Sequence, residues 1–259
     1  MAVQRLSPRL APSADAAIPV FPNGRNPRPL AWLVIAVALL PAFLTLADDR
    51  LGFRLVMAAL ALGIALIGVG LFVMFGSIER HVVRVDAAAP ALRFAPPAAA
   101  TVPPVGIALG LLLPAIAQAV VEVTGLPTMP SILLSRGPYA LGLLGLIVLG
   151  VRLWQLRVPA GLTLTPAGLR GVRGRADIDW RWEDLASVSV VAAPAAKLAL
   201  VPRGGAGRPV QAPALALGSD PNAVAAIIRH YLENPRERAA LSEGGGAAVR
   251  RVEDSAERG

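Results

Sequence analysis

Two hydrophobic patterns divide the chain. Four segments are apolar almost throughout, at residues 30–47, 51–76, 105–123 and 138–154. Each has close to the roughly 20 residues that an α-helix needs to cross the hydrocarbon core of a bilayer. After residue 158, apolar and polar residues alternate instead, with the period of a β-strand that buries one face. The pattern therefore predicts four transmembrane helices followed by a β-rich region.

Three features within the apolar segments carry further predictions. Pro41 lies inside the first segment and predicts a kink, because proline cannot donate the backbone hydrogen bond of a regular helix. Arg54 lies in the first turn of the second segment, where its long side chain can reach the headgroups. Gly106 and Gly110 are four residues apart in the third segment, which predicts close approach of a neighbouring helix.

A polar segment separates the second and third apolar segments. Within residues 79–100, Val83 and Val85 alternate with Arg84 before a turn of small residues and a short apolar run. This pattern predicts a β-hairpin. The order of two spans and a hairpin, followed by two spans and a longer β-rich region, suggests a repeated layout.

The C-terminal region contains signals for about six short strands. Leu162 and Leu164 alternate with threonines before a Thr-Pro-Ala-Gly turn. Further along, Ile178, Trp180 and Trp182 share one face, and acidic residues and an arginine occupy the opposite face. Such alternation predicts an antiparallel sheet whose buried face contains both tryptophans.

A single amphipathic helix follows these strands. The sequence Ser219-Asp220-Pro221 predicts its first turn, with Ser219 or Asp220 as the N-cap residue. Asn234-Pro235 predicts its end. The helix has one apolar stripe, so we expect it to cover an end of a small, half-open β-barrel.

Three short motifs follow one another in this region. They are Gly-Leu-Thr-Leu-Thr-Pro-Ala-Gly-Leu at residues 161–169, Trp-Glu-Asp-Leu at residues 182–185 with Val188 after it, and the helix that Asp220-Pro221 opens and that ends in residues 231–238. In order and spacing they resemble the bacterial pleckstrin-homology-like (PH-like) domains that are attached to membrane helices, known mainly from actinobacterial proteins. The resemblance covers residues 158–241. It implies a small β-barrel with a C-terminal helix, no known catalytic residues and a mostly uncharacterised function.

The two ends of the chain complete the predicted domain organisation. Residues 1–29 are rich in proline, alanine and arginine without a hydrophobic period, and residues 242–259 are glycine-rich and charged. Both are predicted to be disordered. Between them lie a transmembrane region of residues 30–157 and a PH-like domain of residues 158–241. The strands recognised in that domain are one fewer than such a barrel has, which leaves open whether the 79–100 hairpin completes it.

Arginine is distributed unevenly among the segments that flank the predicted spans. The N-terminal arm, the 79–100 hairpin and the region after the fourth span are rich in arginine. The loops after the first and third spans contain only Arg50 and Arg136. By the positive-inside rule, this predicts a multi-pass protein of the plasma membrane with both termini and the hairpin in the cytoplasm.

The amino-acid composition limits the class of protein and the kinds of site that the chain can form. Hydrophobic residues make up 55% of the chain and charged residues 16%, which is typical of an integral membrane protein. The net charge of +8 is compatible with nucleic-acid binding, but the basic residues cluster beside apolar spans, so we expect no nucleic-acid partner. There is no cysteine, and the two histidines, His81 and His230, are far apart in sequence. We therefore predict no catalytic site, metal or cofactor.

Four arginines of the first strands are the candidate binding residues. They are Arg170, Arg173, Arg175 and Arg181, on the predicted solvent-exposed face of the barrel. In many eukaryotic PH domains, basic residues near the first hairpin bind phosphoinositide headgroups, so the resemblance makes these arginines candidates for binding acidic lipid or a partner. The alternative is a solvated basic face beside an anionic leaflet.

Two further groups of polar residues are weaker candidates. Four carboxylates can be considered as a cation site, but their positions on a solvated strand face and in a turn favour an ordinary surface. They are Asp177, Asp179, Glu183 and Asp184. In the third span, Gln118 and Glu122 are the strongly polar residues, and the other spans offer no facing charges of the kind that a transport pathway needs.

The sequence supports three hypotheses about function. The leading hypothesis is non-enzymatic: a membrane-anchored PH-like domain acts as a binding or scaffold module for a protein partner on the cytoplasmic side. The second is a small transporter or channel accessory, in which the spans form a pathway that the PH-like domain regulates. The third is recognition of acidic lipid headgroups by the arginine-bearing face.

Overall fold

The chain folds into two compact units, each assembled from separate stretches of sequence. A computed structural model describes residues 3–8, 18–21, 27–96, 102–128, 131–155, 161–171, 178–192, 195–204 and 209–258. One unit, called here the sheet unit, comprises Met1–Asn26, Ser77–Ala100 and Gln155–Gly259. The other, the helical unit, comprises Pro27–Gly76 and Thr101–Trp154.

The helical unit contains the predicted spans. Its described residues form α1 (Arg28–Val37), α2 (Leu39–Ala47), α3 (Leu51–Gly76), α4 (Pro103–Thr124) and α5 (Ile132–Gln155). Four stretches are long and apolar enough to cross a membrane: Arg28–Ala47, Leu51–Gly76, Pro103–Thr124 and Ser135–Gln155. This confirms the prediction of four apolar helices and indicates a multi-pass membrane protein.

The first span is interrupted where the sequence predicts a kink. Helix α1 ends and α2 begins on either side of Ala38, three residues before Pro41. Pro41 has no N–H to donate to the carbonyl of Val37. At the break, the N–H of Ala38 donates to the carbonyl of Ile35 at 3.1 Å, three residues back, as in a 3₁₀ turn. The break thus lies beside the carbonyl that Pro41 leaves without its helical donor.

Glycines set the crossing of α3 and α4. A Cβ atom added to Gly110 would lie 2.7 Å from the carbonyl oxygen of Gly63, whereas one added to Gly106 would meet nothing within 4 Å. The predicted close approach is confirmed at Gly110 and is wrong at Gly106. The contact depends on Gly63 of the partner helix, and spacing within one span gives no information about that residue.

The sheet unit contains nine strands in the described residues. They are β1 (Val3–Leu6), β2 (Val83–Asp86), β3 (Leu92–Phe94), β4 (Leu162–Leu164), β5 (Gly168–Gly171), β6 (Asp179–Arg181), β7 (Leu185–Ala192), β8 (Ala196–Pro202) and β9 (Val210–Pro213). Strands β1 to β6 form one antiparallel sheet in chain order, and β7 to β9 form a second. In the part of the chain that the structure describes, the strands do not close into a barrel. The predicted β-rich region is confirmed, and the PH-like barrel stays a prediction.

Three helices accompany the two sheets in the described residues. They are α6 (Ala214–Leu217), α7 (Pro221–Glu233) and α8 (Gly245–Ala256), with 3₁₀ helices at Trp182–Asp184 and Pro235–Ser242. Helix α7 begins and ends as predicted, between the Asp220 N-cap and Asn234. Its apolar stripe lies in a core that includes Val85, Leu164 and Leu200.

The 79–100 hairpin belongs to the same sheet as the C-terminal strands. Leu92 pairs with Leu164 and Phe94 with Leu162, and the side chains of all four residues are buried. The hairpin thus extends the sheet by two strands, β2 and β3.

The N-terminal arm is a second addition to this sheet. Residues Val3–Leu6 pair with β2 from Val3 opposite Asp86 to Leu6 opposite Val83. Val20 and Phe21 are buried. The prediction of disorder for residues 1–29 is therefore wrong for residues 3–6 and 18–21. Strand β2 supplies the hydrogen bonds for residues 3–6, and the core supplies the contacts for residues 18–21.

The C-terminal tail is also ordered. The prediction of disorder for residues 242–259 is wrong for Gly245–Ala256, which form helix α8. Ala248, Val249 and Val252 are buried in the core of the sheet unit. A Cβ added to Gly245 would lie 3.0 Å from the Cβ of Val85, so the absence of a side chain allows the helix to begin against the sheet. Packing of this apolar stripe offsets the weak helix propensity of the glycines.

Candidate functional site

The outer face of the six-stranded sheet carries a row of charged side chains, with an acid at each end and two arginines between them. Strand register aligns Arg93 with Thr163, Thr163 with Arg170, and Arg170 with Asp179. The Nε atom of Arg170 lies 2.7 Å from Oδ1 of Asp179, and Nη1 of Arg93 lies 3.9 Å from Oδ2 of Asp86. We call Asp86, Arg93, Arg170 and Asp179 the charge ladder. Each of its arginines is balanced by a carboxylate on a neighbouring strand.

The candidate arginines divide between this face and the undescribed residues. Arg170 on β5 and Arg181 on β6 are both exposed on the outer face, as predicted, and the register places Gly168 opposite Arg181. Arg173 and Arg175 lie outside the described residues. The structure therefore brings two of the four candidates to one face, and one of the two is paired with an acid.

The four carboxylates of the candidate cation site have separate partners where they are described. Asp179 pairs with Arg170, and Oδ2 of Asp184 accepts a hydrogen bond from the backbone N–H of Arg181, at 3.0 Å. Glu183 lies 3.7 Å from Arg238. Asp177 lies outside the described residues. Among the described residues, no group of three or more histidine, cysteine and acidic side chains is placed to hold a metal ion.

The three motifs of the C-terminal region meet at Trp182. The indole N–H of this buried residue donates to the carbonyl of Thr165 in the first motif, at 2.9 Å. The guanidinium of Arg238, at the end of the third motif, lies 4.9 Å from the centroid of the Trp182 ring. Nε of Arg238 also donates to the carbonyl of Tyr231. The motifs that carry the resemblance therefore form one packed junction.

Arg84 is a buried arginine, although its alternation with Val83 and Val85 predicts only an ordinary strand residue. Its Nη1 donates to the carbonyl of Gly218 at 2.9 Å, and its backbone N–H donates to the hydroxyl of Ser219 at 2.9 Å. Its Nη2 lies 3.3 Å from the carboxylate of Glu79, which also pairs with Arg5. Burial lowers the pKa of Arg84, and the charge of Glu79 opposes that shift. The sequence signal was an arginine between two valines of a buried hairpin.

Asp220 joins helix α7 to the segment before β2. Its Oδ1 accepts a hydrogen bond from the backbone N–H of Asn222, which confirms Asp220 as the N-cap residue. Its Oδ2 accepts a hydrogen bond from the backbone N–H of His81, at 2.8 Å. The amide of Asn222 in turn exchanges hydrogen bonds with the backbone of Ile18. The cap thus fixes the arm and the hairpin against the same helix terminus.

A polar cluster connects two of the apolar helices. Nε2 of Gln118 donates to Oε1 of Glu122, and the hydroxyl of Tyr139 donates to Oε2 of the same carboxylate, each at 2.8 Å. Gln118 and Glu122 lie on α4 and Tyr139 on α5. The carboxylate therefore links two helices by a hydrogen bond, which is a structural use of a polar residue in a membrane helix.

Strand β7 is a long edge strand without charge. It has eight residues, Leu185–Ala192, none of which is charged or proline. It pairs with β8 on one side, and within the described residues no strand pairs with its other side. The opposite edge of the same sheet, β9, has four residues and ends at Pro213. Proteins usually protect an exposed edge with charge, proline, a β-bulge or a short strand. Strand β7 has a register shift between Leu185 and Ser187, but from Ser187 to Ala192 its pairing with β8 is regular and it has neither charge nor proline.

Comparisons with known proteins identify no relative. No family model matches the chain, and no curated protein or solved structure is significantly similar to it. The resemblance to PH-like domains therefore rests on the three motifs alone.

Proposed function

We propose that the protein is a non-enzymatic scaffold of the plasma membrane, in which a PH-like domain on the cytoplasmic side recruits a protein partner. The observation that carries the proposal is the uncharged edge of β7. A partner contributes an extended segment that pairs with this edge and continues the sheet of β7 to β9.

The side chains of β7 suit this role. Val188 is buried and Val190 is packed against the core, which holds the strand in place. Ser187 is exposed and Ser189 half-buried, so small side chains leave the backbone accessible along the strand. Main-chain hydrogen bonds supply the affinity for an added strand, and contacts with alternate side chains supply its specificity.

The strand order supports the predicted orientation. Strands from the N-terminal arm, from the 79–100 hairpin and from the region after the fourth span belong to one sheet, β1 to β6. Segments that share a sheet lie on the same side of a membrane. Together with the richness of these segments in arginine, this supports a cytoplasmic location for both termini and the hairpin.

The packing at Trp182 supports the PH-like assignment. The third motif is far from the first two in sequence, yet Thr165 and Arg238 both contact the same indole. The antiparallel strands and the helix α7 that covers their core match the elements that the resemblance implies.

The charge ladder favours a protein partner over acidic lipid. Binding to an anionic headgroup requires unbalanced positive charge, and each arginine contributes about 1 kcal/mol near such a surface. Arg170 and Arg93 are each balanced by an aspartate. Among the described candidates, Arg181 is the one exposed arginine of this face without an acidic partner, so this part of the face offers only weak attraction to an acidic headgroup.

Site-specific photocrosslinking tests the proposal. A photoreactive residue replaces Ser187 in the full-length protein in native membranes, and a control chain carries it at the exposed Ser242. We expect a protein adduct at Ser187 that is absent at Ser242. The adduct should disappear in a Ser189→Lys background, because a lysine protects an edge strand from pairing, and should persist in an Arg236→Lys background. Identical adducts at both positions, or adducts with lipid alone, would contradict the proposal.

A further inference from the structure

The sheet of β7 to β9 has one face against the core and one face turned away from it. Leu198 and Leu200 of β8 belong to the core. Lys197, Ala199 and Val201 alternate with them along the strand, so their side chains lie on the opposite face. We call this opposite face the Lys197 face.

Lys197 is a cation without a counter-charge on this face. The strand register places it between Val191 of β7 and Pro213 of β9, and it is half-buried. None of the three strands contains an acidic residue. Within the described residues, the side chain of Lys197 has no hydrogen-bond or ion-pair partner. The charge of Lys197 is therefore available to an anionic group that lies on the same face.

The position of Lys197 in the sheet does not suit a protective role. A lysine in a sheet often prevents unwanted pairing when it lies on an edge strand. Strand β8 is paired on both sides, with β7 and with β9, so a charge on it protects no edge. The neighbouring strand β7 has an edge without a partner in the part of the chain that the structure describes. Lys197 thus lies one strand away from the proposed binding edge.

The backbone of β7 presents a defined register to an added strand. The N–H of Ala196 donates to the carbonyl of Pro19 and so points away from Ala192, its opposite residue on β7. Opposite residues of an antiparallel pair alternate between hydrogen-bonded and non-hydrogen-bonded types. Ala192, and with it Val190 and Val188, is therefore of the second type with β8. The N–H and C=O groups of these three residues face the open edge.

This register places one side chain of an added antiparallel strand beside Val191 on the Lys197 face. Because Val190 and Ala192 bond to the added strand, the residue opposite Val191 forms a non-hydrogen-bonded pair with it, at a Cα separation of about 4.5 Å. Two strand spacings, about 10 Å, then separate the Cα of this added residue from that of Lys197. The flexible four-carbon stem of lysine and a carboxylate side chain together cover this distance above Val191.

We propose that the partner segment that pairs with β7 carries an aspartate or glutamate opposite Val191, and that this carboxylate forms an ion pair with Lys197. The inference rests on the proposed scaffold function and specifies the chemistry of its partner, an extended acidic segment of a protein. A basic residue at the same position would meet the charge of Lys197 and would be disfavoured. Lys197 therefore selects among the segments that the uncharged edge of β7 accepts.

Zero-length crosslinking tests the ion pair directly, because Lys197 is the one lysine of the chain. A carbodiimide joins an amine to a carboxylate in contact with it as an amide, and the water that is lost converts the reagent to a urea. The full-length protein is treated in native membranes, and peptides that contain Lys197 are identified by mass spectrometry. We expect an amide between Nζ of Lys197 and an aspartate or glutamate of the protein that a photoreactive residue at Ser187 captures.

Charge variants of Lys197 supply a second measurement, the yield of the photoadduct at Ser187. We expect Lys197→Glu to lower this yield at least fivefold, because like charges then meet; this corresponds to roughly 1 kcal/mol. Lys197→Arg keeps the charge, so it should retain the photoadduct and lose the amide, since a guanidinium does not react with the activated carboxylate. Arg236→Glu makes the same change in net charge at an exposed residue outside these strands, and it should leave both adducts unchanged. Thermal unfolding verifies that each variant folds.

The outcomes separate this inference from the proposed function. A photoadduct at Ser187 without an amide at Lys197 would overturn the inference and leave the β7 edge as a binding site. An unchanged photoadduct yield in Lys197→Glu, or an equal loss in Lys197→Arg, would also overturn it, because the charge would then not be recognised. An amide of Lys197 with a carboxylate of this same chain or of a lipid headgroup would identify a different counter-charge and overturn it as well. Absence of any protein adduct at Ser187 in the otherwise natural chain would contradict the proposed function, and the inference with it.

Discussion

Gly63 and Gly110 face each other at the crossing of α3 and α4, with the backbone of each helix in the space that a side chain of the other would need. A Cβ on Gly110 would lie 2.7 Å from the carbonyl oxygen of Gly63, and a Cβ on Gly63 would collide with the carbonyl of Gly110. Membrane helices associate through van der Waals contact rather than through the hydrophobic effect, so such close backbone contact is a main source of stability.

Substitution of alanine for glycine at this crossing should show whether helix packing or helix propensity has the larger effect on stability. In a helix interior, Gly→Ala gains about 1 kcal/mol of intrinsic propensity. We expect Gly110→Ala to destabilise the helical unit despite this gain, because the added methyl group forces the helices apart at a cost of about 1 to 3 kcal/mol. The measurement is thermal unfolding of the purified protein in detergent.

Gly106→Ala is the matched control for this substitution. It lies on the same helix, one turn away, and its added Cβ would meet nothing within 4 Å. We expect it to be neutral or stabilising. Equal effects of the two substitutions would show that the contact between Gly63 and Gly110 does not limit helix packing.

The sequence predicts those features that depend on nearby residues. Apolar runs define the spans, and Pro41 interrupts its own helix because the missing donor acts four residues away. Asp220 and Pro221 mark the start of α7 for a similarly local reason. These signals are complete within one or two helical turns of the chain.

Features that depend on distant residues could not be predicted in this way. Residues Val3–Leu6 form a strand because they pair with β2. Helix α8 forms because Ala248 and Val252 pack into the core of the sheet unit. Arg84 can be buried because its guanidinium donates to the carbonyl of Gly218, which is 134 residues away in sequence. The candidate arginine Arg170 likewise could not be distinguished from an unpaired cation, since its partner Asp179 is known only from strand register.

Loss of the helix cap at Asp220 should destabilise the sheet unit. We expect Asp220→Ala to cost about 1 to 2 kcal/mol or more, because it removes the acceptor for Asn222 at the helix terminus and leaves the N–H of His81 without its partner. Asp220→Asn keeps one acceptor oxygen and should cost less. Chemical unfolding of the full chain, followed by tryptophan fluorescence, measures both; equal loss for the two variants would contradict the capping role.

Removal of the Arg238 side chain should weaken the junction of the three motifs. The guanidinium stacks on Trp182 and donates to the carbonyls of Tyr231 and Leu232. We expect Arg238→Ala to cost about 1 to 3 kcal/mol and to shift the fluorescence of the buried indole to longer wavelength. Arg238→Lys should recover only part of this, because lysine lacks the planar fork. Arg236→Ala, at an exposed neighbouring position, serves as the control and should leave both measurements unchanged.

The hydrogen bond of Tyr139 to Glu122 should couple α4 and α5. We expect Tyr139→Phe and Glu122→Gln each to reduce thermal stability in detergent, and the double variant to lose less than the sum of the two. A double-mutant cycle should give a coupling of about 0.6 to 1.7 kcal/mol, as for other interhelical hydrogen bonds in membranes. Strict additivity would contradict the link between the two helices.

Tyr231 should make the stability of the sheet unit fall at high pH. Its hydroxyl donates to the carbonyl of Ala248 at 2.8 Å, and burial raises its pKa from 10.0 to about 12, with a further contribution from Glu237 and an opposing one from Arg251. In the unfolded chain the hydroxyl loses its proton near pH 10, so between pH 10 and about 12 the folded state binds more protons than the unfolded state. Stability from this group is therefore complete below pH 10 and is lost as the pH rises to about 12.

Absorbance measures this ionisation directly. The chain has two tyrosines, so in a Tyr139→Phe background Tyr231 is the remaining one. We expect its phenolate absorbance to appear near pH 12 in the folded protein and near pH 10 after denaturation. Tyr231→Phe should lower stability at neutral pH by about 1 kcal/mol through loss of the hydrogen bond, and its deficit relative to the natural chain should shrink above pH 10. Two results would contradict the burial of a neutral hydroxyl at this position. One is a stability deficit of Tyr231→Phe that stays constant from pH 8 to pH 12, and the other is a folded-state titration near pH 10. Only a phenol that keeps its proton in the folded state can make stability fall between these pH values.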